Sequence, residues 1–120
     1  MQYALLIYQS ETWESLPKEE KNRIHEDCGA WHEELVRAGH ARTCFGLRPA
    51  TMATTVRTNS GRALVTDGPF AETKEVLGGL EVVECKDLDQ AIAIAKRFPA
   101  LRVGFAMEVR PTLSGECKEE

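Results

Sequence analysis

The stretch V-T-D-G-P-F-A-E-T-K-E, from Val65 to Glu75, lies between two apolar segments and is predicted to connect two β-strands. Asp67, Gly68 and Pro69 are typical of a turn, because aspartate can bond its own downstream backbone, glycine tolerates positive φ and proline fixes φ. The connection also carries one aromatic and three charged side chains, namely Phe70, Glu72, Lys74 and Glu75. Since a simple linker needs none of these, the stretch is a candidate binding site as well as a turn.

The segments on both sides of this connection predict an α+β fold. Apolar periodicity and turn residues indicate the following elements: a strand at Tyr3–Tyr8, a helix at Lys18–Ala38, a strand at Arg42–Leu47, a hairpin of Thr54–Thr58 and Arg62–Thr66, a strand at Leu80–Cys85 opened by Gly78-Gly79, a helix from Asp87 to Phe98, and a strand at Val103–Val109. Their order is β-α-β, an inserted β-hairpin, then β-α-β. This order predicts a ferredoxin-like split βαβ fold.

The predicted sheet needs a cover on its second face. Two helices can cover only one face of an antiparallel sheet. The continuous apolar run Tyr3–Tyr8 nevertheless indicates a strand that is buried on both faces. We therefore expect a second copy of the chain to cover the bare face, which gives an isologous homodimer.

Length and composition indicate one compact domain. The chain has 120 residues, of which 42% are hydrophobic, and we expect a single domain at 1–113 and a frayed C-terminal tail at 114–120. A net charge of −4 with scattered basic residues argues against nucleic-acid binding. The apolar start is too short for a signal peptide, and no run is long enough to span a membrane, so we expect a cytoplasmic protein. Its four separated cysteines are then expected to be free thiols.

Asp67 is the first candidate for a catalytic residue. Its carboxylate is expected to act as a general base or a substrate anchor, to cap the turn as an Asx-turn, or to do both. Gly68 and Pro69 are expected to shape the backbone, and Phe70 to be a core or dimer contact more often than a substrate stack. The three charged residues of the loop are Glu72, Lys74 and Glu75. They are expected either to form a buried network or to remain exposed, where charged pairs contribute little to stability.

The first helix carries a second constellation of chemically active side chains. His25, Cys28 and His32 have spacings of three and four residues, which places them close to one stripe of the helix. Imidazole and thiolate are zinc ligands, so this spacing is compatible with a zinc site. The same side of the helix, however, carries Ile24 and Trp31, which indicates packing against the core. We therefore favour a partly buried thiol beside exposed histidines, and predict neither a metal nor another cofactor.

The motif D-G-P-F-A-E-T-K-E at Asp67–Glu75, the opening Y-A-L-L-I-Y and the closing M-E-V-R-P resemble the DGPF family of YCII-related proteins. The resemblance extends from Tyr3 to about Pro111 and implies a dimeric α/β barrel. It implies little about activity, because most members lack a defined reaction. Related proteins pair a histidine of the first helix with an acid in the cleft. Here Cys28 occupies that position, so His32 or Cys28 is expected to act together with Asp67.

Two functions follow from these predictions. The first is a small, cofactor-independent enzyme that performs an elimination or isomerisation on a small organic acid or cyclic compound. This compound would bind in a cleft near Asp67–Glu75, here called the DGPF loop. The alternative is a non-catalytic module that binds a small ligand or a protein in a regulatory setting, because some proteins that the chain resembles are associated with sigma factors. The sequence has no phosphate-binding loop, nucleotide fingerprint or nucleophile elbow.

Overall fold

The computed structural model describes residues 1–113, and its α+β architecture confirms the predicted ferredoxin-like split βαβ fold. The elements are β1 (Gln2–Gln9), α1 (Lys18–Arg37), β2 (Ala41–Gly46), β3 (Thr54–Asn59), β4 (Arg62–Asp67), β5 (Val76–Glu84), α2 (Leu88–Lys96) and β6 (Ala106–Pro111). The tail that we predicted at 114–120 lies outside the described residues. None of the helices within 1–113 is long and apolar enough to cross a membrane.

The main sheet has four antiparallel strands in the order β2-β5-β1-β6. β1 is therefore a central strand, since it pairs with β5 on one side and with β6 on the other. Both helices pack on one face, where Leu5 and Val83 are completely buried. On the opposite face, Leu6 and Val82 remain partly exposed in the single chain. The sheet thus has one covered and one uncovered face.

The helix packing follows from residues that the sequence already indicated. In α1 the residues Ile24, Trp31 and Leu35 are buried against the sheet and α2. Trp31 donates its indole N–H to the carbonyl of Ile94 at 3.2 Å, and its ring meets Phe98 edge-on at 5.1 Å between centroids. These contacts fix α1 relative to α2. They therefore also fix the residues that α1 presents to the cavity described below.

A capping-box pair, Asp87 and Gln90, begins α2. The Asp87 side chain accepts a hydrogen bond from the Gln90 backbone N–H at 2.9 Å. The Gln90 side chain in turn accepts one from the Lys86 backbone N–H at 2.8 Å. Such reciprocal bonds satisfy N–H groups that have no partner within the helix.

The inserted hairpin β3–β4 forms a separate two-stranded sheet, as predicted. Its turn is tighter than the three residues that we expected, because Asn59 pairs with Arg62 and leaves only Ser60 and Gly61 between the strands. Their φ angles are +52° and +78°, as a type I′ turn requires. The base of the hairpin is tied by a bond from the Gly68 N–H to the Ala53 carbonyl at 2.8 Å.

The expectation for the glycines of β5 was wrong. Gly78 and Gly79 do not open β5 but lie within it, where the strands pass close together; a Cβ atom on Gly79 would lie 2.9 Å from the Phe45 carbonyl oxygen. Gly29 of α1, by contrast, has open space beside it, since no heavy atom lies within 4 Å of the position its Cβ would take. The intolerant glycines are therefore those of the sheet, beside the cavity that contains His32.

Candidate functional site

Three elements each contribute one side chain to a cluster between α1 and the sheet. These side chains are His32 of α1, Cys44 of β2 and Glu81 of β5. Cys44 and Glu81 are direct partners in the antiparallel pairing of β2 and β5. Because side chains alternate between the faces of a strand, Glu81 lies on the same helix-covered face as Val83. The sheet register thus places a thiol and a carboxyl side by side, beneath the helix.

His32 is the centre of this cluster, because each of its ring nitrogens has a partner. Its Nδ1 lies 2.8 Å from Glu81 Oε1, and its Nε2 lies 3.7 Å from Cys44 Sγ. When the Glu81 carboxylate is ionised, it accepts the Nδ1 proton and leaves the lone pair of Nε2 directed towards the thiol. The carboxylate therefore fixes both the orientation and the tautomer of the imidazole.

Glu81 is an unusual residue for the inside of a sheet. Its side chain is only 4% exposed, and within residues 1–113 its Oε2 atom is buried without a hydrogen-bond partner. Burial raises the pKa of Glu81, and the hydrogen bond and positive charge that His32 can offer oppose this effect only in part. A buried polar atom with no partner is costly, such atoms are rare in native proteins, and a catalytic role is one of the reasons for which they are kept. The position of Glu81 therefore points to a functional site.

Cys44 is a protonated thiol in this environment. Partial burial and the nearby Glu81 carboxylate both raise the pKa of the Cys44 thiol, in that order of importance. A raised pKa means that the group keeps its proton at neutral pH. Cys44 is thus a proton donor beside an imidazole and does not resemble a nucleophilic thiolate.

The cluster opens into a cavity of about 360 Å³ between α1 and the sheet. Most of its wall is aromatic or aliphatic, and it is formed by Trp13, Ile24, Trp31, Phe98 and Phe105. Polar groups are few in comparison with this apolar surface. An apolar cavity with a small number of converging polar groups is the usual form of a small-molecule site.

The structure brings both helix candidates to this cavity. His32 forms the cluster, and Cys28 lies in the wall, where burial raises the pKa of its thiol. Sequence reasoning missed Glu81 and Cys44. A signal for Glu81 was present, because strand alternation from Val83 places an acidic side chain on the inward face of β5. Nothing in the sequence indicated that Cys44 would be its partner.

Asp67 lies elsewhere in the chain. It is the last residue of β4, pairs with Thr54 and has an exposed side chain. It does not line the cavity at His32. Within the described chain its carboxylate accepts no hydrogen bond, so the Asx-turn that we considered does not form. Gly68 does adopt the expected positive φ, at +100°.

The DGPF loop borders a second, larger concavity of about 650 Å³. Pro69 and Phe70 lie on its wall, and Phe70 is 73% exposed. Arg57 stacks over the Phe70 ring at 4.9 Å and donates to the Phe70 carbonyl at 3.2 Å. The three charged residues of this loop are exposed in the single chain, and none of them makes an ion pair within residues 1–113. They are Glu72, Lys74 and Glu75.

The helical set that we considered as a zinc site does not assemble. His25 is exposed and packs beside Trp13 at 5.4 Å between ring centroids. His32 instead turns to Cys44 and Glu81, and the potential ligand atoms of these three residues lie within 4.8 Å of one another. The expected free state of the cysteines is confirmed for Cys28, Cys44 and Cys85, while Cys117 lies outside the described residues.

The fold and the cavity define a small ferredoxin-like α+β protein with a histidine, a carboxyl and a thiol at one end of an apolar cavity. Comparison with known proteins gives the family: the family model for the YCII-related domain matches residues 1–112, and the chain belongs to this family. It is also 41% identical over 97 residues to an uncharacterized protein of Rhizobium meliloti (strain 1021). The aligned region covers 80% of this chain and 78% of the relative. The resemblance to YCII-related proteins is thereby confirmed.

Proposed function

We propose that this protein is an acid/base enzyme that uses His32 as a general base. The observation that carries the proposal is the hydrogen bond between the buried Glu81 side chain and the half-buried His32 Nδ1 at 2.8 Å, made at the wall of an apolar cavity. A carboxylate on one ring nitrogen orients the imidazole and stabilises the positive charge that forms when the other nitrogen takes a proton. Nε2 is thus prepared to remove a proton from a bound substrate.

Cys44 supplies the complementary proton donor in this proposal. His32 Nε2 takes a proton from a carbon next to a carbonyl group, and the electron pair moves onto that carbonyl as an enolate. If a C=C bond is conjugated with this enolate, the Cys44 S–H returns a proton at the far carbon and the double bond shifts, which completes an isomerisation. The proton on His32 Nε2 then passes to the Cys44 thiolate, so both side chains regain their starting states. Departure of a leaving group from the adjacent carbon would instead complete an elimination. The raised pKa of the Cys44 thiol keeps this side chain protonated, so it is suited to donate a proton.

The cavity limits the class of substrate. A volume of about 360 Å³ with mostly apolar walls suits a small cyclic compound or a small organic acid. The chemistry proposed for His32 and Cys44 requires only protein side chains. Asp67 remains a proposed anchor or base; because it does not line this cavity in its own chain, a contribution to the same reaction requires a second copy.

A homodimer formed through the uncovered sheet face is part of the proposal. This face carries Leu6, which is the strand partner of Leu80, and the pair Ala4 and Val82. On β6 the same face carries Glu108 and Arg110, which pair with each other. The apolar part formed by β1 and β5 gains free energy when it is covered. An isologous pair of such faces covers both copies at once.

The dimer predicts a specific change of mass. Wild-type protein is expected to have twice the chain mass at micromolar concentration in sedimentation equilibrium. Leu6→Lys places a charge at the centre of the proposed interface, beside a Glu108 that already pairs with Arg110. It is expected to give monomer, because burial of an unpaired charge is costly. Val36→Lys, on the exposed surface of α1, is the matched control and should remain dimeric. A monomeric wild type, or a dimeric Leu6→Lys protein, would contradict the interface.

Proton abstraction can be measured without knowledge of the complete reaction. We expect the wild-type protein to catalyse deuterium exchange from D2O into a carbon next to the carbonyl of a small cyclic ketone, lactone or keto acid, followed by NMR. His32→Gln should lower the exchange rate by about 10²–10⁴-fold, the usual contribution of a general base. His40→Gln is a control, because His40 bonds the Glu84 carbonyl and does not line the cavity.

The outcomes of the exchange experiment separate the two functions. Equal exchange by wild type and His32→Gln would contradict the assignment of His32. Saturable binding of these compounds without exchange would support the alternative of a ligand-binding module in a regulatory setting. Asp67→Asn, measured in parallel, tests the proposed role of Asp67, since a loss of exchange in a correctly folded dimer would assign it to the site.

A further inference from the structure

The geometry points to a metal-binding function of the same cluster. We infer that His32 Nε2 and Cys44 Sγ bind a divalent ion of the zinc class, with Glu81 bonded to the opposite nitrogen of the imidazole. The site differs from the helical set of His25, Cys28 and His32, because its thiol comes from β2 and its carboxyl from β5. The binding itself is independent of the proposed enzymatic function.

The spacing of the two donor atoms suits tetrahedral zinc. Zinc–sulfur bonds of about 2.3 Å and zinc–nitrogen bonds of about 2.0–2.1 Å, at a tetrahedral angle, separate the two donors by about 3.6 Å. The observed separation of Nε2 and Sγ is 3.7 Å. An ion can therefore bridge the two atoms with little movement of either side chain. A thiolate and an imidazole favour zinc, cobalt or copper over magnesium or calcium, which prefer oxygen.

Glu81 provides a second and independent observation. Histidines that bind metals usually donate their other N–H to a carboxylate, which fixes the ring and strengthens its basicity. Glu81 Oε1 has this relation to His32 at 2.8 Å. Its other oxygen, Oε2, is buried without a partner within the described residues, although the residue borders the cavity. Glu81 is thus placed as the carboxylate that orients a metal-binding imidazole.

Binding has a defined chemical balance. The Cys44 S–H bond breaks, its proton passes to solvent, and the sulfur lone pair forms the bond to the ion. The Nε2 lone pair forms the second bond, and water completes the coordination. Because Nε2 is then occupied, the ion is expected to inhibit the proton transfer of the proposed function. This last consequence alone depends on that function.

Cobalt(II) tests the site directly on the full chain. Titration of the wild-type protein with Co²⁺ should produce the near-ultraviolet thiolate-to-cobalt charge-transfer band, saturating at one ion per chain, and Zn²⁺ should remove it. Cys44→Ser should abolish the band. Glu81→Gln should weaken Co²⁺ binding about 10–100-fold, as loss of a carboxylate behind a metal-binding histidine usually does. His32→Gln should weaken it at least as much.

Matched thiol and imidazole controls lie in the same chain. Cys28→Ser and His25→Gln change residues of the same cavity and should retain the band. The inference is overturned if wild type shows no thiolate band, if Cys44→Ser retains it, or if Glu81→Gln binds as wild type does. Binding is measured by absorbance, and exchange is measured separately in chelator-treated protein. Failure of the metal site is thus distinguishable from failure of the proposed enzyme.

Discussion

Replacement of Trp31 by alanine is expected to lower the free energy of unfolding by about 3–5 kcal/mol, the usual cost of removing a large aromatic side chain from a core. Trp31 is 7% exposed and lies between α1 and α2. The substitution removes both its edge-on contact with Phe98 and its hydrogen bond to the Ile94 carbonyl. Urea unfolding followed by circular dichroism measures the effect, because fluorescence changes with the substitution itself.

Two further variants separate the contributions of Trp31. Trp31→Phe keeps an aromatic ring but not the indole N–H, and is expected to cost less than the alanine variant. Val36→Ala changes an exposed residue of the same helix and should lie within about 0.5 kcal/mol of wild type. A loss below about 1 kcal/mol for Trp31→Ala would contradict the role of this residue as the contact that fixes α1 on α2.

The second large effect is expected when Glu81 loses its partner. His32→Leu should lower the free energy of unfolding by about 2–3 kcal/mol at neutral pH, because it leaves a buried carboxyl without a hydrogen bond. Within residues 1–113, His32 provides the only hydrogen bond to the Glu81 side chain. Burial raises the pKa of Glu81, and the hydrogen bond and charge of His32 oppose that rise. The substitution therefore raises the pKa of Glu81 further above its ordinary value of 4.5.

The sign of the pH dependence follows from this raised pKa. At a pH below the unfolded-state pKa of Glu81, the carboxyl is protonated in both states and the cost of its burial is smallest. As the pH rises above the unfolded-state pKa, the unfolded chain releases this proton while the folded chain still retains it. The free energy of unfolding therefore falls until the pH has passed the folded-state pKa. The difference between wild type and His32→Leu should accordingly grow as the pH rises from about 4 to 8.

The double variant His32→Leu/Glu81→Leu is the control for this prediction. Removal of both polar partners leaves no carboxyl to desolvate, and such replacements are often neutral or stabilising. The double variant should therefore recover most of the stability at neutral pH and lose the additional pH dependence. Urea unfolding at a series of pH values measures both quantities. A loss in His32→Leu that does not change with pH would mean that packing, and not the charge of Glu81, is its cause.

Much of the fold could be predicted from local sequence signals. The element order, the capping box at Asp87 and the glycine at position 39, which has a φ of +80° after α1, each depend on residues close in sequence. The hairpin was located correctly, although its turn is one residue shorter than expected. The glycines of β5 were misjudged, because their role depends on how closely β2 and β1 approach that strand.

The candidate site was predicted only in part. The sequence by itself indicated His32 and Cys28, since the 3.6-residue helical period places both near the core-facing side of α1. It could not pair His32 with Glu81, 49 residues away, or with Cys44. Those contacts depend on the register of β2 against β5 and on the position of α1 above them, which long-range packing sets. Local signals therefore determined the elements, whereas only the tertiary structure decided that a histidine, a buried carboxyl and a thiol meet in one cavity.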